Sequence, residues 1–303
     1  MTTLASIVEK AAMKEDPIIA VASAADIGVL TAIHEAINKG IASFMLFDDQ
    51  EKVHHLLSQN FNELLSNEKI QIYHTDSIRE SAVEAVKAVS SGQAHVLMKG
   101  NMPTSVLLKE VLNSEYGLRT GKILSHVAVF EVPNYDRLLF VTDAAMNIAP
   151  DLEAKAQIIR NAVTTAHSCG VYEPIVAPLA AIETINPAMA STLDAASLVV
   201  MSKRGQIDGC IIEGPLALDN AISIEAARQK GIIGQSAGNA DILVVPNIEA
   251  GNILYKSLIY FAQAKVGAVI QGASAPIVLT SRADSAESKL YSLALAILST
   301  SKN

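Results

Sequence analysis

Short apolar runs and amphipathic stretches alternate along almost the whole chain, and that alternation leaves few folds open to it. Pro17 to Ser23 reads as a buried strand, followed by a helix that ends near Lys39-Gly40. Ile41 to Phe47 is the next strand, with a charged helix from Asp49 to Gln59 behind it. Lys69 to His74 and His95 to Met98 continue the strands on either side of a helix from Ser77 to Ser90. A further helix runs to about Leu112, with Pro103 suited to its first position. Ser125 to Val132 and Arg137 to Thr142 read as a hairpin around Pro133-Asn134-Tyr135-Asp136, which makes the sheet mixed at this point. A long helix from Asp151 to His167 follows. Beyond it come a strand Pro174–Ala181, a helix Pro187–Met201, a strand Gly209–Glu213, a helix to Lys230, a strand Asp241–Val245 and a last helix Asp284–Leu298.

Parallel strands joined by helices require right-handed crossovers and helices on both faces of the sheet. Trp is absent, aromatics make up 4%, and half of the residues are hydrophobic. The core is therefore built from Ala, Val, Ile and Leu, the composition of strands covered on both sides. The expected fold is α/β and two-lobed, with doubly wound, mostly parallel sheets. The first lobe is expected to comprise residues 1–148 and 274–303 and the second 149–273, the last helix returning to the first lobe. No internal repeat or low-complexity linker interrupts the pattern.

Net charge −8 argues against non-specific nucleic-acid binding, so an anionic substrate would depend on a few local cations. The amino-terminal stretch carries acids and lacks the pattern of a signal peptide, and no segment has a spanning length free of polar residues. A soluble, cytoplasmic protein with no membrane partner is the expectation. Cys169 and Cys210 have no metal-ligand spacing and read as structural thiols. None of the seven histidines pairs with another at helical metal spacing beside a carboxylate.

Two segments run from a buried strand into a polar turn and then a helix: Asp241 to Lys256, and Gly267 to Glu287. Ligands of open α/β sheets bind beyond the carboxyl ends of strands, where helix amino termini favour anions. Ser281-Arg282 at such a turn has the chemistry of an oxyanion or phosphate site. Asp284-Ser285-Ala286-Glu287 has the spacing of a capping box, with Asp284 as N-cap. Gly117-Leu118-Arg119-Thr120-Gly121-Lys122 fails as a nucleotide P-loop, because one residue is missing between the glycines and Ile123 follows the lysine. It is either a flexible turn or, through Arg119 and Lys122, an anion contact. The glycines at 231, 234 and 238 follow a helix and precede a strand, the reverse of a dinucleotide fingerprint.

Leu97-Met98-Lys99-Gly100, Val141-Thr142-Asp143 through Asn147, Pro246 through Lys256 and Leu279-Thr280-Ser281-Arg282-Ala283-Asp284 together resemble the phosphate acetyl/butyryltransferase family, most closely its butyryl branch. The resemblance covers nearly the whole chain. It implies two lobes of the isocitrate/isopropylmalate dehydrogenase-like type, with the active site in the cleft between them. It also implies interconversion of a short acyl-CoA plus phosphate with acyl phosphate plus CoA. CoA and phosphate are then substrates, no metal or nicotinamide cofactor is needed, and the assembly is a homodimer or a multiple of one.

The family's catalytic Ser-Arg pair matches Ser281 and Arg282. The acetyl branch keeps an aspartate base where this chain has Ser288, so Glu287 is the nearest acid and the candidate base. Lys99, Arg119, Asp143, Gly251, Asn252 and Lys256 are the candidate phosphate- or CoA-binding residues. Two rivals are a metal- and NAD-dependent decarboxylating dehydrogenase of the same fold and a non-catalytic CoA- or phosphate-binding regulatory protein.

Overall fold

A computed structural model describes residues 3–232, 236–280 and 284–300. The chain forms two compact units, one made of Leu4–Lys122 with the chain from Gly267 onward, the other of Ile123–Val266.

In the first unit α1 (Leu4–Ala11) leads into β1 (Ile18–Ala22), α2 (Ile27–Asn38), β2 (Ser43–Asp48), α3 (Gln50–Asn60), β3 (Ile70–His74), α4 (Ile78–Ser90), β4 (Val96–Lys99) and α5 (Thr104–Val111). Strand β1 pairs in parallel with both β2 and β4, and β2 with β3. Asp26 caps α2 by accepting from the Val29 N–H, and Ser77 caps α4 through the Glu80 N–H. These side chains satisfy helix donors that have no partner within the helix.

The second unit opens with β5 (Ser125–Glu131) and β6 (Leu138–Thr142), the expected antiparallel hairpin, in register Ala128↔Val141 to Glu131↔Leu138. It continues through α6 (Leu152–Ser168), β7 (Ile175–Pro178), α7 (Ala190–Lys203) and β8 (Ile211–Ile212). The helix expected to reach Lys230 is two short ones, α8 (Leu218–Ile222) and α9 (Ile224–Gln229); β9 (Ile242–Val244) and α10 (Ile248–Tyr260) follow. Its strands lie in the order β5-β6-β9-β7-β8, with β9 parallel to β6 and β7.

Strand β10 (Lys265–Gln271) takes the chain back to the first unit, where β11 (Ile277–Leu279) pairs antiparallel with β10 and parallel with β4. Helix α11 (Ala286–Leu298) then buries nearly its whole length. A Cβ on Gly267 would fall 2.8 Å from Tyr291 and 2.8 Å from Leu295 of α11, so glycine is what lets β10 approach that helix.

The units divide at 122/123 and 266/267, not at the expected 148/149 and 273/274. The cause is a ladder between residues far apart in sequence. Phe140, Val141 and Thr142 of β6 pair with Ile242, Leu243 and Val244 of β9, which ties the hairpin to the second unit. Phe44 and Phe130 are among the largest fully buried side chains of the respective units, amid Ala, Val, Ile and Leu. Among the described residues no helix is long and apolar enough to cross a membrane.

Candidate active site

Strands β1, β4 and β11 run parallel, so their carboxyl ends lie side by side: Ala22 is level with Lys99, and Lys99 with Leu279. The turn after β4 bonds closely to the turn after β1. Gly100 N–H donates to Ala22 O at 2.7 Å, and Asn101 N–H to Ser23 O at 2.7 Å. A Cβ on Gly100 would lie 2.0 Å from Ser23 O, so only glycine fits. Lys99 is 6% exposed, and its Nζ donates to the carbonyls of Gly100 and Met102, each at 3.1 Å. The cation is thus folded over the end of its own strand. Thr280 Oγ1 donates to Lys99 O at 3.5 Å. Thr280 immediately precedes Ser281 and Arg282, which lie outside the described residues.

The described chain resumes at Asp284, whose carbonyl accepts from Lys289 Nζ at 2.5 Å. Lys289 is 4% exposed and was not singled out from the sequence. Its signal was a lone cation entering an otherwise apolar helix. Gly28, at the start of α2, lies beside it: a Cβ there would be 3.7 Å from Lys289 Nζ, an ordinary packing contact. Two buried lysines, Lys99 and Lys289, therefore occupy the end of the first unit at which β4 and β11 finish.

The capping box expected at Asp284 is not the one that forms. Ser285 is the N-cap of α11, and its hydroxyl accepts from the Ser288 N–H at 3.1 Å. Glu287 consequently stands one position earlier in the helix than expected. It is exposed, and its Oε1 accepts from the Tyr291 hydroxyl at 2.6 Å, one turn further on. A tyrosine donor holds that carboxylate at a fixed place near the start of the helix.

In the second unit, Asp143 is 3% exposed and organises its own turn. Oδ1 accepts from the N–H groups of Ala145 and Met146, both at 3.0 Å. Oδ2 accepts from the Asn147 N–H at 3.2 Å and from Asn147 Nδ2 at 2.6 Å, and that amide also donates to Leu124 O at 2.9 Å. With both oxygens so engaged, Asp143 acts here as the keystone of the 143–147 turn. Gly251 presses α10 onto this turn: a Cβ would lie 2.8 Å from Asp143 O and 2.9 Å from Ala144 Cα. Glycine here allows that close packing. Asn247 caps α10 through the Ala250 N–H, and Ile248 N–H donates to Ile148 O at 2.9 Å, joining helix start to turn end. Asn252 and Lys256 are both exposed and, four residues apart, share one face of α10. Lys256 Nζ lies 5.6 Å from the Tyr255 ring centroid, and that ring packs edge-on against Phe130.

Arg119 is exposed and held at the other end of the first unit's strands. Leu118 N–H donates to Val111 O, Leu118 O accepts from Ser274 N–H at 2.9 Å, and Thr120 Oγ1 donates to Gly272 O. Gly272 and Ser274 belong to the β10–β11 turn, which closes at the amino end of β11. Lys99 and Thr280 are at the carboxyl end, so the backbone does not bring Arg119 to them. The thiols offer no nucleophile: Cys169 is fully buried, and burial pushes the Cys210 thiol up to about 11.

The phosphate acetyl/butaryl transferase family model matches residues 51–297. A probable phosphate butyryltransferase of Bacillus subtilis is 57% identical over 294 residues, which cover 97% of each chain. Among solved structures, a branched-chain phosphotransacylase from Enterococcus faecalis is similar at 38% identity and a TM-score of 0.82, covering 93% of this chain and 98% of that one. A 4-hydroxythreonine-4-phosphate dehydrogenase from Klebsiella pneumoniae shares the fold at 12% identity, with a TM-score of 0.55 and coverage of 94% and 100%.

Proposed function

Given that this chain belongs to the phosphate acetyl/butaryl transferase family, we propose that it interconverts a short acyl-CoA, butyryl or a branched relative, plus phosphate with the acyl phosphate plus CoA. The observation that carries this reading is the near full-length match to a relative named for butyryl transfer. The packing of Lys99 against Thr280, beside the Ser281-Arg282 pair in the chain, supports it.

In this reaction a phosphate oxygen attacks the thioester carbonyl. The C–S bond breaks, and the thiolate leaves as CoA. Arg282 has the planar fork that holds phosphate through two parallel hydrogen bonds. Ser281 supplies a hydroxyl donor for the carbonyl oxygen as it gains charge. Lys99 and Lys289 add positive charge at this end of the unit and lower the cost of gathering phosphate there. In the reverse direction the CoA thiol must lose a proton, and Glu287 is the carboxylate assigned to take it. Asn252 and Lys256, on the open face of α10, are assigned to the anionic parts of CoA. Asp143 and Gly251 shape the turn on which that helix rests.

On this reading the enzyme uses no metal and no nicotinamide, works in the cytoplasm, and assembles as a homodimer or a multiple of one. The dehydrogenase rival has support from shared fold alone. The deciding experiment measures thiol release from butyryl-CoA by the purified protein, with and without phosphate, in EDTA. Phosphate-dependent release that survives EDTA is the expected result. Release without phosphate, or loss in EDTA that a divalent metal restores, would overturn the reading.

A further inference from the structure

The second unit contains a cleft of about 730 Å³ beyond the carboxyl ends of β7 and β9. Pro178 and Val244 pair at those ends, and the next residues, Leu179 and Val245, enter its wall. Ligands of α/β sheets bind in this position. Part of its lining comes from two segments already described. Ala149 and Pro150 end the stretch that begins at Asp143, and Asn247 and Ala250 belong to the start of α10.

The lining is mostly apolar. Leu179, Met189, Val245 and Leu254 supply large side chains, and Ala180 and Ala190 small ones. The charged pair in the wall is neutralised within itself: Lys155 Nζ lies 2.6 Å from Asp194 Oδ2, and Lys155 is 7% exposed. Away from the starts of α7 and α10, where helix N–H groups favour anions, the wall has little to offer a phosphate or a carboxylate, whose desolvation it would not offset. It suits an apolar chain. Its volume falls within the roughly 300–1,000 Å³ of small-molecule sites, and a two-carbon acetyl group would leave most of it unfilled.

We propose that this cleft receives the acyl chain of the acyl-CoA, with Ala190 and Met189 setting the chain length accepted. The inference rests on the phosphate acyltransferase reading. Met189 is an unbranched thioether that can adjust to straight or branched chains. Ala190 begins α7 and is part of the cleft's lining, so a larger side chain there would take up part of the cleft.

The test is kcat/KM for phosphorolysis of acetyl-, butyryl-, isobutyryl- and hexanoyl-CoA by the wild type, Ala190→Leu and Met189→Ala. One methylene in an apolar pocket discriminates by roughly 10–200-fold. Ala190→Leu should therefore lower the butyryl-to-acetyl ratio by about 10-fold or more. Met189→Ala should raise the hexanoyl-to-butyryl ratio several-fold, and it tests the cleft even where the larger substitution prevents folding. Variants with the wild-type chain-length profile would overturn the proposal. So would an equal loss on all four substrates, which would assign the cleft to a part of CoA common to them. A wild type silent on every acyl-CoA would instead remove the acyltransferase reading itself.

Discussion

Replacing Asp143 by Asn tests whether this residue holds the protein together or holds substrate. The carboxylate accepts from four donors, the N–H groups of Ala145, Met146 and Asn147 and the Asn147 side-chain amide. An asparagine can keep one oxygen toward Ala145 and Met146. Its NH₂ would then face the two donors of Asn147, which lose their acceptor. Hydrogen bonds to a charged group contribute about 1.5–3 kcal/mol each. Rotation of the Asn147 amide can recover one of them, but Leu124 O then loses its 2.9 Å donor. The net cost is about 2–4 kcal/mol, and at about 2–4 °C per kcal/mol for a large domain the fall in Tm is about 4–16 °C. Thermal unfolding followed by circular dichroism measures that fall, and initial rates at 15 °C, well below it, measure activity on folded protein. A variant with the wild-type Tm would refute the reasoning, because a buried carboxylate with four donors cannot change its hydrogen-bonding pattern without cost. An unchanged Tm with CoA affinity lost would assign Asp143 to the substrate.

Arg282→Lys keeps the charge but loses the two-pronged fork. A rise of about 10-fold or more in phosphate KM, or a matching fall in kcat, is expected with Tm preserved, and wild-type kinetics would take Arg282 out of the site. Glu287→Gln should slow the acyl-phosphate-plus-CoA direction by ~10²-fold or more if this carboxylate takes the thiol proton. Helix α11 is capped by Ser285, so its Tm should barely move, and a fully active variant would end the base assignment. Burial raises the pKa of Asp241, outweighing the lowering effects of the Ile175 N–H and Arg137. An acid raised in the folded state costs stability as pH rises from below its unfolded value of about 3.9 through its folded one. Asp241→Asn, which can still accept from Ile175, should therefore match the wild-type Tm near pH 3 and equal or exceed it at pH 7. A variant that loses stability relative to wild type as pH rises would contradict that sign.

Much of this molecule is legible along the chain because the forces that set it are local. The strand and helix periods, the hairpin at Pro133–Asp136 and the polar turns after β4 and β9 depend on neighbours within a few residues. The four motif segments carry the family in the same way. Three decisions belong to tertiary structure. The first is the unit boundary, which follows the pairing of Phe140 with Ile242, a contact between residues about a hundred positions apart that no local pattern records. Another is the cap of α11. Asp284 and Ser285 can both cap a helix, and the choice falls to Ser285 where the chain leaves Lys289 Nζ bonded to the Asp284 carbonyl. The last is the sorting of candidate site residues. A buried aspartate and a helical glycine in a motif look alike whether they touch substrate or each other. Only the approach of α10 to the 143–144 turn shows that Gly251 packs against the backbone of Asp143. The same holds for Arg119, a cation in a glycine-bounded turn, which Leu118 and Thr120 anchor at the end of the strands away from Lys99.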